Sequence, residues 1–272
     1  MLLTILGCSG SVSGPDSPAS GYLVQAAGAP PVVLDLGGGT LGQLQRYVDP
    51  AQAVVLLSHL HADHCLDVAG LLVWLRYHPV PCTATLRLHG PTGTAERLGA
   101  ASSEIPGEVD DISDVIETHT WVDGGTTTIG ELTVESRRVW HPCEAFGLRI
   151  TDGAGTTLVY TGDTALCDEV VELARGASVL LAEASWTHAD DRPPGVHMSG
   201  TEVGRLAQRA GVGELLITHV PPWTSREAVL AEARAEFDGP VRAVSAREQI
   251  EVSTPAGGIA GAALPGQARA RA

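Results

Sequence analysis

Residues 58–64 read Ser-His-Leu-His-Ala-Asp-His and directly follow the apolar run Ala-Val-Val-Leu-Leu at 53–57. Three imidazoles and a carboxylate so close in sequence can converge on metal ions only where the backbone turns sharply, as in a loop that leaves a strand. Neutral imidazole suits zinc, manganese or iron, and a carboxylate can bind the metal or hold a water molecule. A polar loop with three surface histidines is the weaker interpretation of so dense a group. The stretch therefore predicts a metal site at a strand end.

Three further ligand-type residues stand at the ends of predicted strands. His141 follows Val-Trp, Asp163 follows Leu-Val-Tyr-Thr-Gly, and His219 follows Leu-Leu-Ile-Thr. Strand ends gathered at one edge of an α/β sheet are where ligand sites tend to form. Taken singly, the two histidines suit the edge of a core and the aspartate suits a helix N-cap. Together with residues 58–64, they indicate one metal site.

The rest of the chain alternates short β-branched runs with amphipathic stretches. Strands are predicted at residues 2–6, 21–26, 31–36, 53–57, 84–88, 131–140, 145–151, 156–161, 178–183, 214–218 and 241–244. Helices are predicted at residues 40–48, 65–77, 92–100, 165–175, 200–211 and 225–236. Strands dominate first and then alternate with helices, which predicts a layered α/β domain with sheets flanked by helices.

Domain boundaries follow from the same pattern. Two predicted helices begin with a capping box, Ser199-x-x-Glu202 and Thr224-x-x-Glu227. Because no repeat or internal linker interrupts residues 1–252, we expect one domain there. From residue 253 the chain is rich in Ala, Gly and Pro without periodicity, which predicts a flexible tail over 253–272.

Charge restricts the partners of this chain. Its 17 basic and 32 acidic residues give a formal net charge of −15, and every fixed cation is an arginine because the sequence has no lysine. So acidic a surface repels nucleic acid and anionic membranes. A small anionic substrate stays compatible, since bound divalent metals reverse the local field in a cleft.

Other features of the composition predict a cytoplasmic protein. The opening Met-Leu-Leu-Thr-Ile-Leu-Gly has no basic segment before it and indicates a first strand instead of a signal peptide. No apolar run approaches the roughly 18–20 residues that span a bilayer. Five scattered cysteines without a CxxC pair favour a reduced compartment.

The series His59-x-His61-x-Asp63-His64, followed by His141, Asp163 and His219, resembles the metallo-β-lactamase superfamily over roughly residues 1–252. The resemblance implies a four-layer αβ/βα sandwich with the site at its edge. Asp35, which ends the run Pro-Val-Val-Leu-Asp, matches an aspartate that supports the metal loop from behind. By this resemblance, His59, His61 and His141 hold one metal, Asp63, His64 and His219 hold the other, and Asp163 bridges them.

Two further residues resemble the phosphodiesterase branch of that superfamily: Glu183, in Leu-Leu-Ala-Glu-Ala-Ser, and His197, in Val-His-Met-Ser-Gly. His197 stands just before the helix predicted to be capped by Ser199, and a helix N-terminus attracts phosphate. A histidine held by a carboxylate can protonate a leaving alkoxide. The alternative is a purely structural hydrogen-bonded pair.

Within that branch, the chain departs from the tRNA 3′-processing enzymes. Many of those carry a long basic arm between the positions of His141 and Asp163, whereas this interval is short and contains one arginine, Arg149. The stretches 6–22, 186–188 and 219–227 are instead similar to atypical bacterial cyclic-AMP phosphodiesterases. A cyclic phosphodiester is small and singly charged, which suits an acidic protein with one cationic cleft.

These observations predict a phosphodiesterase with two divalent ions, zinc or alternatively manganese or iron, that hydrolyses 3′,5′-cyclic AMP to 5′-AMP. We expect Asp63, Glu183 and His197 to be catalytic, and a small cyclic nucleotide to be the partner, not nucleic acid or a membrane. Alternative activities are hydrolysis of a ribose cyclic phosphate or a tRNA 3′ end, and thioester or lactone hydrolysis. A metal-stabilised binding protein is the non-enzymatic alternative.

Some features stay open at the level of the sequence. A homodimer is one of the assembly states it allows. Trp140, Trp186 and Trp223 each lie near a motif residue and suit either core packing or stacking on a base. Gly37-Gly38-Gly39 after a predicted strand indicates a tight turn near the metals.

Overall fold

A computed structural model describes residues 1–253 and shows fourteen strands and seven α-helices in that range. The strands are β1 (Leu2–Gly7), β2 (Gly21–Gln25), β3 (Val32–Leu36), β4 (Val54–Leu56), β5 (Leu86–Gly90), β6 (Ile116–Thr120), β7 (Thr126–Ile129), β8 (Leu132–Arg138), β9 (Phe146–Thr151), β10 (Thr157–Tyr160), β11 (Val179–Glu183), β12 (Glu214–Thr218), β13 (Val241–Ala243) and β14 (Gln249–Glu251). The helices are α1 (Thr40–Leu44), α2 (Ala62–Cys65), α3 (Asp67–Tyr77), α4 (Thr94–Ser102), α5 (Asp168–Ala174), α6 (Gly200–Ala210) and α7 (Arg226–Glu236).

The strands form two seven-stranded sheets. The first has the order β14-β1-β2-β3-β4-β5-β6 and the second the order β13-β12-β11-β10-β9-β8-β7. Strands β3 to β6 run parallel in the first sheet, and β10 to β13 run parallel in the second. The carboxyl ends of parallel neighbours meet at one edge, so the loops that leave them are brought together.

Three apolar cores separate four layers. Side chains alternate along each strand, so Val32 and Leu34 of β3 pack between the two sheets while Val33 packs against α3. In β11, Leu181 likewise faces the other sheet and Leu180 faces α6. Burying both faces of each sheet is what an α/β/β/α arrangement requires. The predicted αβ/βα sandwich is confirmed.

Three strands were not predicted from the sequence: β6, β7 and β14. Each lies at an edge of its sheet, and the sequences are Ile-Glu-Thr-His-Thr, Thr-Thr-Thr-Ile and Gln-Ile-Glu. Edge strands are commonly short and polar. Their sequences therefore lack the apolar runs by which the central strands were found.

Several helix predictions were wrong at their ends. The N-cap of α7 is Ser225 and not Thr224, since the Ser225 hydroxyl accepts from the amide of Ala228. Helix α5 begins at residue 168, so Asp163 lies in a loop and caps no helix. The helix predicted at 65–77 is divided at Leu66, although that residue keeps a right-handed helical backbone. The capping box at Ser199 is confirmed. Of the tail predicted at 253–272, residues 254–272 lie outside the described residues.

The glycine turn after β3 sets the position of the metal-binding stretch. A Cβ atom on Gly37 would lie 1.8 Å from the carbonyl oxygen of Asp63, so this close approach requires glycine. Gly39 has a φ of 89° and starts α1 from the left-handed region. No helix within residues 1–253 is long and apolar enough to cross a membrane.

Candidate metal centre

Three histidine rings converge where β4 and β8 end. His59 and His61 lie in the loop after β4, and His141 lies in the loop after β8. The Nδ1 atom of His61 is 3.1 Å from Nε2 of His59 and 3.2 Å from Nε2 of His141. These three residues are the first ligand group.

Four side chains form a second ligand group beside it: Asp63, His64, Asp163 and His219. The Nε2 atoms of His64 and His219 are 3.2 Å apart. Oδ2 of Asp63 lies 3.2 Å from Nε2 of His219. Oδ2 of Asp163 lies 3.2 Å from Nε2 of His64 and 3.3 Å from Nε2 of His219. Loops from both sheets therefore contribute to one cluster.

The spacing within both groups fits a divalent ion. Four nitrogen or oxygen ligands placed tetrahedrally at about 2.0–2.1 Å from a metal are about 3.3 Å from one another. The separations above lie close to that value. All seven ligands predicted from the sequence fall in one or the other group.

The hydrogen bonds behind four of the rings fix which nitrogen faces the site. In each ring Nδ1 points away and meets an acceptor, which leaves the lone pair of Nε2 directed at the cluster. Both serine hydroxyls among the acceptors donate their own proton to a carboxylate, so each can accept from an imidazole. The acceptors are Ser58 for His59, Asp35 for His64, the carbonyl of Val196 for His141, and Ser185 for His219.

Asp163 is placed to bridge the two groups. Its Oδ2 atom faces His64 and His219 of the second group and is 3.7 Å from Nε2 of His59 in the first. Its Oδ1 atom is buried and has no hydrogen-bond partner among the described residues. Buried carboxylate oxygens are rarely left without a partner. Convergent lone pairs and this orphaned oxygen fit cations between the groups.

Burial keeps the rings of the first group neutral. It lowers the pKa of His141 to about 4, against a smaller opposing effect of Asp163. Burial and the neighbouring His64 hold the pKa of His59 well below its usual value. Burial also lowers the pKa of His64, but this effect is outweighed by the carboxylates of Asp163 and Asp35, which raise the pKa to well above its usual value. Since neutral imidazole is the ligating form, a cation would replace the proton on Nε2 of His64.

Asp35 lies behind the cluster at the end of β3 and is fully buried. Its Oδ1 accepts from the amide of Ser58 at 2.6 Å, and its Oδ2 accepts from the hydroxyls of Ser58 and Tyr160 and from Nδ1 of His64 at 2.6–2.7 Å. Its φ of 56° places it in the left-handed region. A strained backbone at a fully bonded carboxylate is typical of a functional site, and it supports the predicted role of Asp35 in holding the metal loop.

A family model described as a beta-lactamase superfamily domain matches residues 32–220. That interval includes Asp35, both ligand groups and the strands that carry them. The chain belongs to the metallo-β-lactamase superfamily.

Several bacterial proteins are similar to this chain over most of its length. The uncharacterized protein Rv1339 of Mycobacterium tuberculosis is 61% identical over 250 residues, covering 92% of each chain. The probable metallo-hydrolase YhfI of Bacillus subtilis is 31% identical over 251 residues, covering 89% of this chain and 96% of YhfI. The crystal structure of YhfI is 27% identical in sequence and superposes with a TM-score of 0.79, covering 92% of this chain and 98% of the YhfI chain. A ribonuclease Z of Mycobacterium bovis is 29% identical over 276 residues, covering 92% of this chain and 98% of the ribonuclease. The protein is accordingly a metal-dependent hydrolase by family.

Glu183 and His197 form a hydrogen-bonded pair at the side of the two ligand groups. Nδ1 of His197 lies 2.9 Å from Oε1 of Glu183. Burial lowers the pKa of His197, but the charge and hydrogen bond of Glu183 outweigh it and raise the pKa to about 9. Glu183 is itself fully buried and accepts from the amide of Thr164 and the hydroxyl of Ser185. The carboxylate thus fixes the orientation of the His197 ring.

The N-terminus of α6 does not offer amides to phosphate, contrary to the expectation from the sequence. The amide of Gly200 donates to the carbonyl of Trp186, that of Thr201 to Glu232, and that of Glu202 to the Ser199 hydroxyl. A capped helix start has few free donors for an anion. A phosphate group bound near this helix would therefore depend on the ligand groups and on side chains, not on the amides of α6.

Two residues near the centre were not singled out from the sequence. The Cys143 thiol lies within 4.8 Å of the ligand atoms of the first group, and burial raises its pKa. Glu232 of α7 accepts from the amides of His188 and Thr201 at 2.9–3.2 Å and so ties down both ends of the loop that carries His197. A lone cysteine two residues past His141 and a glutamate in a polar helix carry no distinguishing sequence signal.

Asp163→Ala should impair both metal sites at once, because one carboxylate oxygen faces both ligand groups. Metal analysis by inductively coupled plasma mass spectrometry should give two divalent ions per chain for the unmodified protein and fewer than one for the variant. Asp16→Ala, at an exposed residue without a hydrogen bond or ion pair to the described residues, should retain two. One ion per chain in the active unmodified protein would contradict the bridging role.

Proposed function

We propose that this protein is a binuclear metal-dependent phosphodiesterase that hydrolyses 3′,5′-cyclic nucleotides, with cyclic AMP converted to 5′-AMP. The observation that carries the proposal is the Glu183–His197 pair. It places an oriented acid beside two ligand groups that fit divalent ions, and His197 also lines a small cavity.

The proposed division of labour follows from the positions of the side chains. Divalent metals, when bound, supply a nucleophile from water at neutral pH and stabilise the charge that develops on phosphoryl oxygens. His59, His61 and His141 would hold one ion, and Asp63, His64 and His219 the other, with Asp163 between them. Glu183 accepts from Nδ1 of His197, which leaves Nε2 as the nitrogen available to a substrate.

His197 acts on the leaving group. The charge and hydrogen bond of Glu183 raise the pKa of His197 and so favour the protonated ring, which can donate a proton. A water oxygen forms the new P–O bond and gives up one proton to solvent, while the bond between phosphorus and O3′ breaks and Nε2 of His197 transfers its proton to O3′. An oxygen leaving group as basic as a ribose hydroxyl requires such a proton.

The size and charge of the site favour a small substrate over a tRNA. A cavity of about 500 Å³ is lined by His197 and lies within the usual range for small-molecule sites. The interval from His141 to Asp163 forms β9, β10 and their short connections, with no room for a substrate-binding arm. A tRNA also needs several cationic contacts, and a chain of net charge −15 without lysine has few cations from which to make them.

Thioester or lactone hydrolysis is a weaker alternative. A thiolate is a good leaving group and needs no proton donor in the transition state, so the Glu183–His197 pair would have no task in that reaction. The similarity to a ribonuclease Z supports tRNA processing as the alternative within the phosphodiesterase branch.

A panel of substrates tests the proposed function directly. Purified protein loaded with zinc or manganese should hydrolyse 3′,5′-cyclic AMP, with 5′-AMP as the product in liquid chromatography. It should leave a tRNA precursor, an acyl thioester and a lactone unchanged. Trimming of the precursor without turnover of any 3′,5′-cyclic nucleotide would contradict the proposal and favour the tRNA alternative.

His197→Ala should retain both metals but lower the rate on cyclic AMP by roughly 10²–10⁴-fold, the usual contribution of a general acid. The loss should be much smaller on a p-nitrophenyl phosphodiester, since p-nitrophenolate leaves without a proton. The exchange His78→Ala, at the end of α3 and outside the metal centre, provides the matched control. An equal loss on both substrates would show that His197 positions the phosphate instead of protonating the leaving oxygen.

A further inference from the structure

We infer that the cavity beside His197 is a nucleobase subsite and that Trp223 is the surface on which the base stacks. The inference rests on the proposed function, since it assigns the part of a cyclic nucleotide that lies away from the reacting phosphorus.

The cavity is continuous with the catalytic groups. Ser185, which lines it, has its hydroxyl 3.0 Å from Nδ1 of His219 and bonded to Oε2 of Glu183. His197 lines the same space. A substrate with its phosphorus at the ligand groups and its O3′ near His197 would therefore extend the rest of its nucleoside into this cavity.

Trp223 lines the cavity from the loop after β12 and is 69% exposed. Large aromatic side chains are normally mostly buried, so its packing within the described residues does not explain its type. The loop that carries it is well fixed. The amide of Thr224 donates to the carbonyl of Pro221, and the Thr224 hydroxyl donates to the carbonyl of Ser185. A rigid indole face open to a cavity is a ready stacking platform for a planar heteroaromatic ring.

Trp186 and Arg192 line another part of the cavity. The rings of Trp186 and His197 are nearly perpendicular, and their centroids are 5.2 Å apart. The Arg192 guanidinium lies 5.8 Å from the centroid of the Trp186 ring. Arg192 has no carboxylate within ion-pair distance among residues 1–253, and its guanidinium donates to the carbonyl and the hydroxyl of Thr187. The cavity wall therefore carries one positive charge. An aromatic ring together with one anionic group is the ligand chemistry that this lining favours.

Trp223 offers the cleaner test of the two tryptophans. Because it is mostly exposed, its replacement should hardly change the stability of the fold, whereas replacing Trp186 would disturb His197. The steady-state kinetics of Trp223→Ala and Trp223→Phe are compared on two substrates. One is 3′,5′-cyclic AMP, and the other is the 3′,5′-cyclic phosphate of 1-O-methylribose, which has the same reacting group and no base.

Trp223→Ala should lower kcat/KM for cyclic AMP by roughly 5- to 150-fold, the range for loss of one base–aromatic stack, chiefly through a higher KM. On the base-free substrate it should match the unmodified protein. Trp223→Phe should retain most of the activity on cyclic AMP, and Tyr77→Ala, which removes an exposed aromatic residue of α3, should retain all of it.

Two results would overturn the subsite alone: unchanged kcat/KM of Trp223→Ala on cyclic AMP, or an equal loss on both substrates. If the unmodified protein turned over no 3′,5′-cyclic nucleotide, the proposed function would fail and the subsite with it. These outcomes are distinct, because the first two require that cyclic AMP is a substrate.

Discussion

The metal centre depends on one buried carboxylate, that of Asp35. It joins the end of β3 to the loop after β4 through Ser58, to the second ligand group through His64, and to the second sheet through Tyr160. A carboxylate without solvent is costly unless it is fully hydrogen-bonded, and this one has four donors. The same bonds determine that His64 presents the lone pair of Nε2 to the site. The Asp35 carboxylate thus fixes the loop after β4, the orientation of the His64 ring and the contact between the two sheets.

The two-sheet architecture explains why the site lies where it does. Each sheet contributes parallel strands whose carboxyl ends share an edge, and the facing sheets bring the two edges together. The first ligand group comes from the loops after β4 and β8, while the second combines α2 with the loops after β10 and β12. Hydrogen bonds behind the ligands then orient the rings, as second-sphere contacts do in metal sites generally.

The ligands could be predicted from the sequence because four of them crowd into residues 59–64 and the others stand just after predicted strands, as His219 does. The edge strand β7 could not, since Thr-Thr-Thr-Ile has no apolar alternation to distinguish it from a loop. Proximity to His197 suggested that α6 would bind phosphate, but Glu232 from α7 occupies one of its first amides. Contacts between distant elements leave no local pattern. For the same reason, the sequence left the role of Trp223 open.

Calorimetric titration of metal-free Asp35→Asn with zinc, beside the unmodified protein, tests the central claim most directly. Asparagine keeps the shape of the side chain and removes its charge, so the folded variant should bind its more weakly held ion about 10- to 100-fold less tightly. Thermal unfolding monitored by circular dichroism would verify that the variant is folded. If the folded variant bound two zinc ions with unchanged affinities, Asp35 would not be the residue that holds the centre in place.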